Sequence, residues 1–106
     1  MTDDNITSLD SLIEFKDLSL YNLSYLDFSK KYLTKIVFDN SVLYFANFTD
    51  TVLRDCSFRN VNLSNSKLIR TKIHNTKIVN SNFSNAIISD VEIEESFLKD
   101  NKEFKY

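Results

Sequence analysis

The sequence predicts an all-β solenoid, in which the chain winds into a tube and turns a corner every five residues. A Leu, Ile or Phe occupies every fifth position for 18 consecutive repeats, from Ile13 to Leu98. From Ser41 onward, a small residue stands two positions before each of these central residues, and an Asn or Asp stands two positions after most of them. A fixed period indicates a repeat architecture, so the core is expected to lie between successive turns.

A period of five fits neither an α-helix nor a straight β-strand. Because an α-helix turns about 100° per residue, side chains five positions apart scatter around it and form no buried stripe. In a strand, neighbouring side chains alternate between faces, so an odd period would place successive central residues on opposite faces. The period is therefore compatible with a chain that bends once per repeat.

The positions around each central residue predict the inside and the corners of the tube. Small side chains at i−2 point the same way as the central one, because strand side chains repeat every two residues. These are Ser41, Ala46, Thr51, Cys56, Val61, Ser66, Thr71, Thr76, Ser81, Ala86, Val91 and Ser96. Corners are expected at i+1 and i+2, and at i+2 Asn and Asp tolerate a left-handed backbone in a chain without Gly or Pro. They are Asn40, Asp50, Asp55, Asn60, Asn65, Asn75, Asn80, Asn85, Asp90 and Asp100.

Residues 46–65 contain four consecutive blocks of this pattern, ANFTD, TVLRD, CSFRN and VNLSN. The blocks resemble the pentapeptide repeat family, whose motif is a small residue, Asp or Asn, Leu or Phe, and two variable polar positions. The resemblance implies a right-handed quadrilateral β-helix with four repeats per coil, and hence about four to five coils. Residues 60–65 and 80–85 share four identities, as a coil of twenty residues would produce.

The chain is predicted to divide into an N-terminal cap at residues 1–12, a β-helix at 13–100 and a tail at 101–106. The cap is expected to be a short helix or an irregular plug, because an open β-helix end exposes unpaired strand edges. Before Ser41 the i−2 residues are large, so either the first coil is wider or these side chains point outward and act as a cap. They are Lys16, Tyr21, Leu26, Lys31 and Ile36.

Enzyme chemistry is not predicted, and neither a cofactor nor a bound metal is expected. His74, the only histidine, falls at the exposed i+1 position, and the repeat register is expected to place neither a nucleophile nor an orienting carboxylate beside it. Cys56 falls in an inward position and is interpreted as a small buried hydrophobe rather than a reactive thiol. A single cysteine, the lack of a secretion signal and the lack of a membrane-spanning stretch predict a cytoplasmic protein.

Charge varies along the tube, although the net charge is only −2. Residues 1–20 carry −4, residues 56–89 carry +5 and residues 90–106 carry −3. The five bases are expected to wrap one coil as a basic belt, which is either simply solvated or a contact zone for an acidic partner or a phosphate backbone. The belt comprises Arg59, Lys67, Arg70, Lys72 and Lys77. The acidic cluster of Asp90, Glu92, Glu94 and Glu95 is interpreted as a solvated edge, because exposed corners diverge and do not surround a cation.

Exposed apolar residues are concentrated in the N-terminal half and at the C-terminus, and they are interpreted either as an interface or as a surface covered by the cap. The candidate interface comprises Tyr25, Tyr32, Val42, Tyr44, Phe45, Phe104 and Tyr106. Phe104 and Tyr106 are expected to fold over the last coil or to dock on a second subunit. The predicted function is a non-enzymatic protein–protein interaction module, with a homodimer as one form of it.

The alternative is the best-known activity in the family that the sequence resembles, mimicry of DNA by an acidic β-helix that binds or protects DNA gyrase. Such a mimic requires a long acidic stripe, because duplex DNA carries a negative charge about every 1.7 Å of its axis. The basic middle of this chain does not fit that requirement. Direct binding of nucleic acid through the basic belt is favoured less still, because the belt lacks interleaved aromatics for base stacking.

Overall fold

A computed structural model describes residues 13–106 as a four-sided β-helix, and the predicted cap at residues 1–12 lies outside this described part. Nine three-residue strands form its walls. They are β1 (Tyr32–Thr34), β2 (Val52–Arg54), β3 (Ser57–Arg59), β4 (Lys67–Ile69), β5 (Lys72–His74), β6 (Lys77–Val79), β7 (Ile87–Ser89), β8 (Glu92–Glu94) and β9 (Phe97–Lys99). The predicted all-β solenoid is confirmed.

Each strand from β1 to β6 pairs in parallel with the strand twenty residues later, so one coil contains four five-residue repeats. Face 1 is the sheet β1-β2-β5-β8, in which Leu33, Leu53, Ile73 and Ile93 stack in register. Face 2 contains β3-β6-β9 and face 4 contains β4-β7. Face 3 is built from single parallel bridges that join residues 22, 42, 62, 82 and 102.

The number of coils is slightly lower than the four to five predicted. The strands of face 1 span three steps of twenty residues, or about three turns. The first coil contributes few strands, because it is joined to the second through single bridges such as Asp17–Val37. The prediction of four to five coils included the repeats of this first coil, and it is therefore higher than the number of turns that the strands form.

The residue before each central position influences whether a repeat forms a strand or a single bridge. In six repeats that residue is Asn or Asp, and its side-chain oxygen accepts the backbone N–H two residues later, as from Asn62 to Ser64. All six repeats form single bridges, and no strand begins with Asn or Asp. This local hydrogen bond competes with extended strand geometry. Val37, Val42 and Lys102 form single bridges without it.

The central residues form the core of the tube. Fourteen consecutive ones, from Leu18 to Phe83, are at most 2% exposed. Phe28 stacks on Phe48 with ring centroids 4.9 Å apart, and Phe38 stacks on Phe58 at 4.6 Å. Edge-to-face contacts join these two stacks across the interior, and such pairs add about 0.5–1.5 kcal/mol beyond the burial of their area.

The large i−2 residues of the first repeats largely point inward. Ile36 is fully buried, and Tyr21 and Leu26 are half-buried against the core. Lys16 is exposed and its Nζ donates a hydrogen bond to the carbonyl of Thr34 at 3.0 Å. The first coil therefore accommodates large side chains, as the wider-coil alternative predicts.

The C-terminal coil is less covered than the coils before it. Its central residues Ile88, Ile93 and Leu98 are only partly buried. On face 3, Lys102 forms a bridge to Asn82, and Phe104 packs on Phe83 with ring centroids 4.4 Å apart. The tail thus covers face 3, while β7, β8 and β9 each lie at the edge of a sheet. No helix in residues 13–106 is long and apolar enough to cross a membrane.

Candidate interaction surface

The predicted corners have the left-handed backbone expected of them, but not all are Asn or Asp. Asn65 and Asn85 have φ of 62° and 60°. Earlier along the same corner, between faces 3 and 4, Tyr25 and Phe45 have φ of 68° and 58°. This conformation costs most residues roughly 1–2 kcal/mol and is tolerated best by Gly, Asn and Asp. Two bulky aromatic residues therefore occupy positions that the backbone disfavours.

These two residues form an exposed aromatic ridge, together with Tyr44. The rings of Tyr25 and Phe45 are parallel to within 3° with centroids 5.1 Å apart, and the residues are 72% and 50% exposed. Tyr44 is 41% exposed, and its hydroxyl accepts a hydrogen bond from Asn62 Nδ2 at 3.1 Å. Val42 lies half-buried beside the ridge on face 3. Four of the predicted interface residues are thus brought together.

The ridge belongs to a surface whose first four rungs carry no charge. They are residues 20–26, 40–46, 60–66 and 80–86, which form face 3 and its two corners in successive coils, and none of these residues is Asp, Glu, Lys, Arg or His. Charge returns to this side of the tube only in the tail, with Asp100, Lys102, Glu103 and Lys105. Apart from the aromatics, the outward side chains are mostly Asn and Ser. We call this surface the neutral face. Sequence reasoning missed it, although aligning the chain in blocks of twenty would have found it.

The other predicted interface residues lie elsewhere. Tyr32 is 76% exposed on face 1, away from the ridge. Phe104 and Tyr106 lie at the C-terminal end, where their rings are 5.1 Å apart and Tyr106 is 71% exposed. Phe104 folds over the last coil, which is one of the two roles predicted for it. The seven residues therefore do not form one continuous surface.

The basic belt is distributed over three faces and one corner. Lys67 lies on face 4, Lys72 on face 1, and Lys77 and Arg59 on face 2. Arg70 lies at the corner between faces 4 and 1 and is paired rather than free. The five bases thus present no single basic face, and none of them lies on face 3.

Arg70 belongs to a ladder of alternating charge along its corner, formed by Lys30, Asp50, Arg70 and Asp90. Its Nε and Nη2 donate to the two carboxylate oxygens of Asp50 at 2.8 and 3.0 Å. This hydrogen bond holds the pKa of the Asp50 carboxyl below its ordinary value, and the nearby charges of Arg70 and Lys30 act in the same direction. The ladder contributes to stability through paired charges rather than to a binding site.

The expectation that no carboxylate lies near His74 is wrong. Glu94 stacks one coil after His74 in the face 1 register, with Oε1 3.8 Å from Nδ1, and Glu95 Oε1 lies 3.4 Å from Nε2. The two carboxylates are 78% and 76% exposed at their side chains, so they flank the imidazole at the open surface. No group of three or more His, Cys, Asp or Glu side chains within residues 13–106 is arranged to hold a metal ion.

Cys56 is the only nucleophilic thiol, and its environment makes it inert. It is 4% exposed, its Sγ donates to the carbonyl of Leu33 at 3.3 Å, and burial raises the pKa of the thiol. A groove of about 750 Å³ beside β3, β6 and β9 includes Cys56 in its lining, along with Arg59, Lys77 and Phe97. No described side chain near the thiol is placed to activate it as a nucleophile.

Comparison with known protein families identifies the repeat. The family model for pentapeptide repeats matches eight copies in this chain, over residues 17–55 and 46–85. The chain belongs to the pentapeptide repeat family. The family consists in general of structural and interaction proteins rather than enzymes. A search of curated proteins finds no match to this chain.

Solved structures of other family members resemble this chain at low sequence identity. Rfr23 from the cyanobacterium Cyanothece is 20% identical, with a TM-score of 0.41 over 81% of this chain and 63% of its own. QnrB1, a plasmid-mediated fluoroquinolone resistance protein, is 21% identical, with a TM-score of 0.39 over 69% of this chain and 41% of its own. A pentapeptide repeat protein of the Arabidopsis thaliana thylakoid lumen is 23% identical, with a TM-score of 0.33 over 74% of this chain and 62% of its own. This chain thus spans less than two thirds of each of these proteins.

Proposed function

We propose that this pentapeptide repeat protein is a non-enzymatic interaction module of the cytoplasm that binds a protein partner through the aromatic ridge on its neutral face. The partner to which we commit is a second copy of the chain. The β-helix acts as the rigid support that holds the ridge in place. Neither catalysis nor a cofactor is part of this function.

The observation that carries the proposal is the placement of Tyr25 and Phe45. Both have left-handed backbone conformations at a corner where later coils carry Asn65 and Asn85. Folding alone favours Asn there, and exposed rings contribute little to the core. Other corners also hold residues such as Leu20 and Lys30 in this conformation, so what distinguishes Tyr25 and Phe45 is that their exposed rings stack on each other. Contact with a partner supplies a reason for the two aromatic residues to be there.

The neutral face favours a second copy as that partner. In a two-fold dimer the same patch contacts itself, so any charge at its centre would lie close to the same charge of the other subunit. A face without charged side chains avoids this repulsion. Charged residues are also depleted, and Tyr and Phe enriched, in the centres of protein interfaces.

The size of the surface predicts a weak dimer. Four coils spaced about 4.8 Å apart give a face roughly 20 Å high. A contact of this size is at the low end for specific complexes, where association is transient. We therefore expect a monomer–dimer equilibrium in the micromolar range or weaker rather than a permanent dimer.

Sedimentation velocity over a range of concentrations tests this function. The wild-type protein should show a sedimentation coefficient that increases with concentration, and Y25N/F45N should sediment as a monomer at every concentration. The control Y32T removes an equally exposed aromatic from face 1 and should behave as the wild type does. A wild-type protein that stays monomeric, or a Y25N/F45N variant that dimerises unchanged, would contradict the proposal.

The gyrase alternative is supported less well by the distribution of charge. The corner ladder alternates in sign, the neutral face carries no charge, and the acidic residues are separated by the basic belt. Within residues 13–106, no face carries the continuous negative stripe expected of a DNA mimic. A supercoiling assay in which this protein inhibits or protects gyrase would favour that alternative over ours.

A further inference from the structure

A second surface lies at the opposite end of the tube, where the strands of the last coil have one unpaired edge. In each repeat, numbered from its central residue i, the amide of residue i+2 donates to the next coil. With Ile73 as the central residue, Asn75 N donates to Glu94 O at 3.0 Å. The carbonyl at i−2 accepts from the next coil, as Thr71 O does from Glu92 N at 3.0 Å. The equivalent groups one coil later are the amide of Glu95 and the carbonyl of Val91. They flank β8, which is the last strand of face 1.

The side chains along this edge define what can pair with it. Ile93 at the centre of β8 is only partly buried, because no described strand pairs with the outer edge of β8. Glu92 and Glu94 point outward on either side of Ile93, and both are exposed. In the preceding rung, the residues in register with these two are Lys72 and His74. The last two rungs of face 1 therefore place basic groups against acidic ones.

We propose that the free edge of β8 binds an extended segment of a partner protein that carries an aliphatic residue between two basic residues. The aliphatic side chain would cover Ile93, and the two basic side chains would lie opposite Glu92 and Glu94. The backbone of the segment would pair in parallel with β8, using the free groups of Val91 and Glu95. This is recognition by strand addition, in which backbone hydrogen bonds provide affinity and alternating side chains provide specificity.

Charge favours this occupant over a second copy of the chain. Residues 90–106 carry a net charge of −3, so two C-terminal ends would repel each other. At the other end of the described tube, residues 13–20 carry a net charge of −1, so head-to-tail stacking would also bring net negative charge against net negative charge. A basic segment would be attracted to this acidic end and not repelled by it. The β8 edge is also separate from the aromatic ridge, so this inference does not depend on the proposed dimer.

Fluorescence anisotropy with a short labelled peptide of alternating lysine and isoleucine tests the inference. We expect saturable binding to the wild-type protein, and affinity about five- to tenfold weaker for E92Q/E94Q, since cross-strand charge pairs have modest individual effects. The control E14Q/E103Q changes the net charge equally but leaves β8 intact, and should bind within about twofold of the wild type. Circular dichroism would verify that both variants are folded.

Two further measurements distinguish strand addition from simple attraction of opposite charges. The same peptide N-methylated at alternate amides retains its charge but has lost the donors for strand pairing, and it should fail to bind. Hydrogen exchange should slow at the amide of Glu95 when the unmodified peptide is added, and not at amides of β2. Equal binding of the methylated peptide, no binding of the unmodified one, or equal affinities of E92Q/E94Q and its control would overturn the inference.

Discussion

Individual inward side chains determine how well successive coils are joined inside the tube. Thr51 and Thr71 donate through Oγ1 to the carbonyls of Phe28 and Phe48 at 2.8 Å, one coil earlier. Ser66 occupies an equivalent inward position, but its Oγ is buried without a hydrogen-bond partner. The sequence predicted that these positions hold small residues. It did not indicate which hydroxyls are satisfied, because that depends on the methyl group and rotamer of each side chain.

Two substitutions at these inward positions should have opposite effects. Thr71→Val retains the shape but removes the hydrogen bond, and should lower the free energy of unfolding by about 1 kcal/mol. Ser66→Ala removes a buried hydroxyl without a partner, and should leave the free energy of unfolding unchanged or raise it by up to about 1 kcal/mol. Urea denaturation measures both. A larger loss for Ser66→Ala than for Thr71→Val would contradict this account.

The corner residues Tyr25 and Phe45 should be dispensable for folding. Replacing both with Asn relieves a left-handed conformation at two positions, roughly 1 kcal/mol each, and loses an exposed ring stack of similar value. We expect the free energy of unfolding of Y25N/F45N to lie within about 1 kcal/mol of the wild type. Thermal and urea denaturation measure this. A loss as large as about 3 kcal/mol, which is typical of a buried aromatic, would mean that the ridge serves the core and not a partner.

Elements of the β-helix are joined at their corners as well as along their strands. Lys30, Asp50, Arg70 and Asp90 lie one coil apart at one corner, and the Asp50–Arg70 ion pair joins two of these coils. A separation of twenty residues makes such a ladder predictable once the coil length is known. It was harder to predict from the sequence which repeats form strands and which form single bridges, because this depends on whether Asn or Asp accepts a local backbone hydrogen bond. His74 was misjudged for a related reason, since its neighbour Glu94 becomes apparent only in the twenty-residue register.

The Asp50–Arg70 pair should stabilise the protein in a pH-dependent manner. The folded-state pKa of Asp50 lies below the ordinary value of 3.8, so its contribution is complete above that value and is lost as the pH falls through the folded-state pKa. Arg70→Met should therefore be less stable than the wild type at pH 7, and the difference should shrink near pH 2. Denaturation at the two pH values measures this.

Lys67→Met provides the control for that comparison, since it removes a nearby base that is not paired with Asp50. Its stability relative to the wild type should change little over the same acid range. A difference between Arg70→Met and the wild type that stays constant down to pH 2 would show that the ion pair does not account for the effect. High salt should also reduce the difference at pH 7, because both partners are partly exposed.

The whole molecule should be least stable at its C-terminal end. In a solenoid each coil is held mainly by its neighbours, and the last described coil has a neighbour on one side only. The central residues Ile88, Ile93 and Leu98 there are only partly buried, whereas Phe83 is covered by Phe104. We expect backbone amides of β8 and β9 to exchange hydrogen faster than those of β5 and β6.

Phe104→Ala should increase this difference. Loss of a partly buried ring should cost about 2 kcal/mol, and its effect on hydrogen exchange should be concentrated in residues 82–102. Exchange measured by mass spectrometry or NMR locates the effect. Uniform acceleration of exchange throughout residues 13–106 would indicate that the solenoid unfolds as one unit and that its end is not locally weak.

At the scale of the whole surface, the sequence predicted the fold better than the site. Central residues, corners and inward positions follow directly from the five-residue period. The neutral face was overlooked because charge was summed along the chain, whereas a four-sided tube distributes charge by face. The predicted interface combined aromatic residues from face 1, face 3 and the C-terminal end for the same reason.

The central claim is that two copies associate through the aromatic ridge. Isotope-filtered NOE spectroscopy on an equimolar mixture of labelled and unlabelled protein tests it most directly. The account predicts intermolecular contacts between the rings of Tyr25 or Phe45 and side chains of the neutral face, and none from Tyr32. Intermolecular contacts that arise only from other faces, or their absence at millimolar concentration, would contradict it.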